Sequence, residues 1–150
     1  MGRNCKGFGL ARRHEGTKIR VCTVLRKSPE SLLTAGFACT GILGPGLLES
    51  AYEILLCESL KEKGLSVERQ KIIPITFKGR VLDEAFRADI IVENQILIEL
   101  KSTERFAPVH AKQVIAYLHL MDLPLGFLMN FGAATFKEGL KRLANNYFRS

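Results

Sequence analysis

Several signatures of common protein classes are missing from this sequence of 150 residues. There is no tryptophan, and the four cysteines, at positions 5, 22, 39 and 57, form no CxxC or CxH pair. No GxSxG motif occurs either. These absences argue against a zinc knuckle, a disulfide-rich secreted scaffold and a serine hydrolase. We interpret the cysteines as reduced thiols and expect a cytoplasmic protein.

Acidic residues are scarce at the start of the chain. Residues 1–30 contain eight of the 22 basic residues but only two of the 15 acidic ones. The rest of the chain, with 14 basic and 13 acidic residues, has a net charge of +1. We therefore interpret residues 1–30 as a basic, flexible N-terminal extension. Residues 31–150 are then a single domain of a size that can bury a core.

Charge is absent from residues 31–48, and eighteen uncharged residues approach the length of a membrane span. Gly36, Gly41 and Pro45 interrupt this segment, and LGPG at 43–46 is typical of a turn. We predict a buried helix that ends near Gly41, and no membrane span. A membrane anchor is the alternative that this segment leaves open.

Hydrophobic periodicity beyond the turn predicts a helix over 47–63, ended by Gly64. Alternating residues up to Phe77, and again from Val81, predict a hairpin. Pro74 in its first strand indicates an edge strand, because proline cannot donate to a neighbouring strand.

The second half of the chain continues with a strand over 96–101 and a helix that begins at Pro108. A strand over 125–131 and a final helix over 135–147 follow. The predicted fold class is α/β, with a four-stranded mixed sheet and helices on its faces. The strand after the crossover helix should pair in parallel with an earlier strand.

Charged side chains interrupt these apolar strands. Glu99 and Lys101 are two residues apart and therefore share one face, and a tight turn at 94–95 would place Asp89 roughly opposite Glu99. Two converging carboxylates suit Mg²⁺ or Mn²⁺, and a nearby ammonium can assist attack by water on a phosphate. The alternative is a structural Glu99–Lys101 ion pair at a sheet edge, with Asp89 exposed.

Asp89, followed after ten residues by Glu99-Leu100-Lys101, resembles the signature of the PD-(D/E)xK nuclease superfamily. The predicted element order, αβββαβ, matches the core of that superfamily. Residues 46–52, GLLESAY, resemble the GxxExxY motif of a family of small proteins within it, and the FRADIIVE and IELK stretches are also similar. The resemblance covers about residues 43–144. It implies a restriction-endonuclease-like fold and a metal-dependent nuclease.

The resemblance also implies roles for individual residues. Asp89 and Glu99 would be metal ligands, Glu49 an extra acidic ligand from the first core helix, and Lys101 the catalytic lysine. Gln113 and the tyrosine four residues later, Tyr117, resemble the QxxxY motif of RecB-like nucleases, in which the glutamine lies near the metal and the scissile phosphate.

Three further side chains are candidates for substrate binding: Tyr117, His110 and Arg87. His110 lies one turn before Gln113 on the same helix face. A solvated helix face is the alternative explanation for His110 and Gln113.

We therefore predict a Mg²⁺-dependent nuclease that acts on nucleic acid, DNA rather than RNA, in repair, restriction or mobile-element traffic. A homodimer is left open. The alternative is a catalytically silent nucleic-acid or protein interaction module that retains the fold. The near-neutral charge of the domain favours this alternative, whereas the intact set of Asp89, Glu99 and Lys101 argues against it.

Overall fold

The computed structural model describes the backbone of residues 15–145 and the side chains of residues 29–83 and 86–145. Eight elements follow one another along it: α1 (Glu15–Leu43), α2 (Glu49–Glu62), β1 (Val67–Phe77), β2 (Arg80–Val92), β3 (Ile96–Lys101), α3 (Pro108–Leu120), β4 (Leu125–Asn130) and β5 (Leu140–Ala144). The strands form one sheet in the order β1-β2-β3-β4-β5. The α/β class with a mixed sheet is confirmed, with five strands in place of the four predicted.

The predicted strand pairings are present in the sheet. β1 and β2 form an antiparallel hairpin in which Phe77 pairs with Arg80 across a two-residue turn, and β1, with Pro74, is an edge strand. β2 pairs antiparallel with β3. β3 and β4 are parallel, because α3 carries the chain back across the sheet between them.

The prediction of a final helix over 135–147 is wrong. Leu140 and Leu143 have helical spacing, but residues 140–144 form β5 and pair antiparallel with β4. β4 would otherwise present a row of unpaired backbone N–H and C=O groups, so pairing with β5 outweighs the local helical preference. Residues 146 and 147 lie outside the described residues.

The buried helix predicted before the LGPG turn is α1, which ends at Leu43. Its backbone is already helical from Glu15, where the sequence predicted irregular chain; residues 1–14 of the predicted extension lie outside the described residues. Leu32, Ala35 and Cys39 are buried against the rest of the domain. No helix in the described part of the chain is both long enough and apolar enough to cross a membrane.

Two apolar layers enclose the sheet. On one face α1 and α2 pack on β2, β3 and β4; on the other face α3 packs through Val114 and Leu118. β3 is the central strand, and its residues 96–100 are all buried. Side chains at the C-terminal end of β3 therefore lie between the layer formed by α1 and α2 and the layer formed by α3.

The buried thiols of this core are inert. Cys39 and Cys57 are free and buried. Burial raises the pKa of Cys57 to about 11, with Arg69 opposing the shift. A thiol with so high a pKa is not a nucleophile at neutral pH.

Candidate active site

The turn before α2 gives the GLLESAY motif a structural explanation. The Tyr52 hydroxyl donates to the Gly44 carbonyl at 2.5 Å and accepts from the Leu47 N–H at 3.2 Å. Gly46 has φ +99°, a conformation that favours glycine. Tyr52 is buried and stacks on Phe131 with the ring centroids 4.3 Å apart. The motif thus fixes the turn from which α2 starts.

Glu49, in the first turn of α2, joins that helix to the end of β3. Its Oε1 accepts from the Ser102 N–H at 3.1 Å, and the Ser102 hydroxyl donates to the Leu47 carbonyl at 2.7 Å. An open cavity of about 690 Å³ lies between residues 45–49 and 102–104.

The loop after β3 is held from β4. Buried Asn130 accepts from the Thr103 N–H at 2.9 Å and donates to the Thr103 carbonyl at 2.7 Å. The Phe131 N–H donates to the Lys101 carbonyl at 2.8 Å. The position of residues 101–103 therefore depends on β4.

Asp89 lies where β2 separates from β3. Backbone pairing of the two strands ends at Ile90, and the Asp89 carboxylate takes over, accepting from the Leu100 N–H through Oδ2 at 2.8 Å. Gln70 lies opposite Asp89 on β1. Its backbone has φ +49°, and its side-chain Nε2 lies 3.5 Å from Asp89 Oδ1. Such an interruption of the ladder is a means of redirecting a side chain beside a functional site.

Glu99 is buried, with 2% of its surface exposed. Its Oε1 accepts from Lys101 Nζ at 3.0 Å and from Gln113 Nε2 at 3.0 Å. Gln113 Nε2 also lies 3.2 Å from the Tyr117 hydroxyl. Glu99 Oε2 is buried and accepts no hydrogen bond from the described residues. A buried carboxylate oxygen without a partner is costly, so it marks a place for a cation or proton.

The charges of this cluster perturb one another. Burial raises the pKa of Glu99 to about 7, and Asp89 adds to the shift while Lys101 opposes it. Burial also raises the pKa of Asp89, opposed by the Leu100 N–H and Lys101. Burial acts to lower the pKa of Lys101, but Glu99, Asp89 and Glu49 together raise it above its ordinary value. Lys101 is therefore a cation at neutral pH.

The donor set fits a hard divalent cation held by two carboxylates. Within the described part of the chain, Glu99 Oε2 accepts from no donor, and Asp89 Oδ1 lies 3.5 Å from Gln70 Nε2. Among the described side chains, those of residues 29–83 and 86–145, no three His, Cys, Asp or Glu are grouped so that they could hold a metal ion. Mg²⁺ commonly uses one or two carboxylates and takes its other ligands from water or phosphate.

A family model of the PD-(D/E)XK nuclease superfamily matches residues 27–143, and this span includes all of these side chains. The chain belongs to the PD-(D/E)XK nuclease superfamily. The chain is also similar to the protein described as SSO0001 in its crystal structure, with 21% identity and a TM-score of 0.48. That similarity covers 83% of this chain and 61% of the other. No curated protein is significantly similar in sequence.

The superfamily signature residues lie together, whereas the substrate-binding candidates are dispersed. Asp89, Glu99, Lys101 and Gln113 form one cluster, with Tyr117 behind Gln113 and its ring edge against Phe86. Arg87 is exposed on β2 and pairs with Ile72. His110 Nδ1 accepts from the Ala107 N–H at 3.2 Å, so this side chain caps the start of α3.

Sequence reasoning missed a second group of side chains in this nuclease-superfamily site. Glu53, on α2, is only 5% exposed. It accepts from Arg69 Nε and from Gln70 Nε2, each at 2.7 Å. Gln70 Nε2 also lies 3.5 Å from Asp89 Oδ1 and so connects Glu53 to the cluster. The available signal was its position one helical turn after Glu49, which places both side chains toward the site.

Proposed function

We propose that this protein is a nuclease that hydrolyses phosphodiester bonds in DNA with Mg²⁺, or Mn²⁺, held by Asp89 and Glu99. One observation carries the proposal: Glu99 is buried at the end of the central strand, beside a lysine cation, with Oε2 free of any hydrogen bond. A buried ion pair that served stability alone would gain from a donor at that oxygen.

Each residue of the cluster has a role in this proposal. A bound divalent cation would supply charge neutralisation at the phosphate and ease deprotonation of the attacking water. Gln113 holds Glu99 Oε1, which leaves Oε2 directed to the metal position. The Leu100 N–H holds Asp89 Oδ2, which leaves Oδ1 as the oxygen that would bind the metal.

Lys101 acts through its charge. Because its pKa is raised, its ammonium keeps its proton and offsets the negative charge that develops on the phosphate oxygens during attack. Glu49, fixed to the Ser102 N–H, is proposed as an auxiliary carboxylate at the rim of the site.

The finer parts of the proposal rest on the resemblance. Gly46, Glu49 and Tyr52 support membership of the GxxExxY family, and with it a DNA substrate in repair, restriction or mobile-element traffic. Tyr117 and exposed Arg87 remain proposed substrate contacts, and His110 is proposed through Nε2, because its Nδ1 accepts from the Ala107 N–H. Buried free thiols support a reducing, cytoplasmic location, and a homodimer would provide two sites for cutting both strands.

The test is cleavage of plasmid DNA, single-stranded DNA and RNA by the purified protein with Mg²⁺, Mn²⁺ or EDTA. Asp89→Asn and Lys101→Ala are compared with Glu62→Gln and Lys63→Ala, which remove the same charges at the far end of α2. We expect cutting that needs metal, is lost in the first two variants and is retained in the controls.

Metal binding is measured separately by titration calorimetry with Mn²⁺. If the folded protein binds Mn²⁺ through Asp89 but cuts no substrate, the result supports the catalytically silent interaction module and contradicts the nuclease. Cutting that persists equally in Asp89→Asn and Lys101→Ala would exclude this cluster as the active site.

A further inference from the structure

The outer part of the β1–β2 hairpin extends beyond the sheet. β2 pairs with β3 only over residues 90–92, but with β1 out to the Phe77–Arg80 pair, with one register shift between Ile73 and Ile75. From Gln70 to Phe77 the β1 strand covers seven residues, about 23 Å at 3.3 Å per residue. Because β2 and β3 are antiparallel, this ribbon continues past the Lys101 end of β3, which is the end that carries the site.

The base of the ribbon is anchored and its tip is free. Ile73 is buried in the layer beneath α3, and the Phe86 ring contacts Tyr117. Beyond them lies the segment 75–82, which we name the ribbon tip. Its large apolar side chains are exposed: Phe77 by 60%, Val81 by 59% and Leu82 by 48%. By the strand register, Phe77 and Leu82 lie on one face of the ribbon and Val81 on the other. Exposed large apolar side chains at the end of a hairpin indicate a binding surface.

The turn at the ribbon tip is a tight two-residue turn and carries cations. Lys78 and Gly79 have φ +48° and +74°, as a two-residue turn matching the twist of the strands requires. Lysine is unusual at such a position, where asparagine or glycine is preferred. Lys78 Nζ lies 5.4 Å from the centre of the Phe77 ring, and exposed Arg80 follows the turn. Aromatic and cationic groups are thus presented together.

Charge identifies the occupant. The ribbon tip contains two basic residues and no acidic one, a net charge of +2, whereas residues 31–150 as a whole have +1. The rest of the domain is therefore slightly negative, and the ribbon tip is a positive part of it. A polyanion is attracted to this surface, while a second copy of the same cationic tip is repelled.

We propose that the ribbon tip enters a groove of duplex DNA bound at the site, with Phe77 against the sugars and bases and with Lys78 and Arg80 on phosphates. The choice of substrate rests on the proposed function. The major groove admits a two-stranded ribbon. At 3.4 Å per base pair, the ribbon reaches about seven base pairs from the scissile phosphate. The tip would therefore contact the duplex away from the cleavage site. This contact would set the duplex length that the enzyme prefers.

The decisive variant is Lys78→Asn. An Asn-Gly turn is the preferred form of this hairpin, so the substitution removes the cation while keeping or strengthening the turn. A purely structural Lys78 predicts unchanged DNA binding and equal or higher melting temperature. The proposal predicts weaker binding at equal or higher melting temperature. Lys63→Asn, the same change at the end of α2, is the matched control.

Binding is measured by fluorescence anisotropy with labelled 30-base-pair and 8-base-pair duplexes in EDTA, so that no metal-dependent cutting occurs. On the long duplex we expect Lys78→Asn and Phe77→Ser to weaken binding each by about 10-fold, with a salt dependence reduced by about one ion for Lys78→Asn. On the short duplex the variants should equal the unaltered protein.

The outcomes separate the ribbon tip from the catalytic cluster. Wild-type affinity in both variants, with cutting intact, overturns the ribbon assignment and leaves the nuclease. Weaker binding in both variants, with no cutting by the unaltered protein, supports the ribbon and overturns the proposed catalysis. If sedimentation shows instead that Phe77→Ser dissociates a dimer without changing affinity for DNA, the tip is an interface between copies and the proposal is wrong.

Discussion

Both halves of β3 pair with β4 and are largely buried, but only the first half also pairs with β2, and the two halves have opposite chemistry. Ile96, Leu97 and Ile98 are fully buried apolar side chains, and the next three residues include buried Glu99 and partly buried Lys101. The apolar half places hydrocarbon in both layers of the core, which stabilises the fold. The charged half removes ions from water, which opposes folding. Stability and the site therefore depend on adjacent residues of one strand. We expect that each half can be altered without affecting the role of the other.

The largest effect should come from neutralising the charged half. We expect the double substitution Glu99→Gln and Lys101→Met to lower the cleavage rate by at least about 1000-fold, because both the metal ligand and the cation are lost. Its free energy of unfolding should equal or exceed that of the unaltered protein, since a buried ion pair is replaced by neutral groups. Plasmid cleavage and urea unfolding measure the two quantities. Marked destabilisation would mean that the ion pair holds the fold together.

Truncating the apolar half should do the reverse. Ile98→Ala removes a fully buried side chain, and we expect it to lower the free energy of unfolding by about 4 kcal/mol. Cleavage per folded molecule should stay within about threefold, because the charged residues keep their partners. Urea unfolding and cleavage well below the unfolding temperature test this. A loss of cleavage as large as that of the double variant would abolish the distinction between the two halves.

The pH dependence of stability should sharpen the comparison, because only the charged half titrates near neutrality. The pKa of Glu99 is raised by burial from 4.5 to about 7, so the folded state holds its proton more tightly than the unfolded state. This contribution is complete below pH 4.5, declines as pH rises and is lost above pH 7, at most about 3 kcal/mol. We expect the unfolding free energy in EDTA to decline over this range relative to that of Glu99→Gln.

Mg²⁺ provides the control for that titration. A cation binds the ionised carboxylates, so the stabilisation by Mg²⁺ should be larger at pH 8 than at pH 5 and absent in Glu99→Gln. An equal Mg²⁺ effect at both pH values would argue that the ion binds elsewhere.

The smallest effect concerns the turn that leads into α2. Tyr52→Phe keeps the stacked ring but removes the hydrogen bonds to Gly44 and Leu47, and we expect a loss of about 1 kcal/mol. Tyr117→Phe, which removes one contact with Gln113, is the matched variant and should lower stability less. Thermal unfolding of both variants measures the difference, and equal losses would remove the special role of the turn.

Local patterns in the sequence were sufficient for most of the fold. The helix after the LGPG turn, the hairpin with Pro74 at the edge and the parallel strand after α3 follow from period and turn residues that lie close together in the chain. β5 was not predictable in this way. Its Leu140 and Leu143 suit a helix locally, and only the open edge of β4, formed by residues 125–130, favours a strand.

The residues of the site can be divided in the same way, into those with a local signal in the sequence and those without one. Asp89, Glu99 and Lys101 were predicted because charges in apolar strands are conspicuous. Glu53 was not, because its burial depends on Arg69 and Gln70, which approach from another element. The left-handed conformation of Gln70 likewise has no local signal, since glutamine has no preference for it.

The parallel pairing of β3 with β4 also determines when the site forms. The β1–β2–β3 meander joins neighbouring segments, whereas β3 meets β4 only after the 23 intervening residues, 102–124, have formed the crossover. Contacts between distant segments form slowly compared with hairpins. During synthesis, a chain that ends before α3 already contains Glu49, Asp89, Glu99 and Lys101, but not Gln113 or the Asn130 clasp on Thr103. In a nascent chain, the carboxylates of the proposed metal site therefore precede the side chains that hold them and the adjacent loop in place, and the complete cluster requires the last third of the chain.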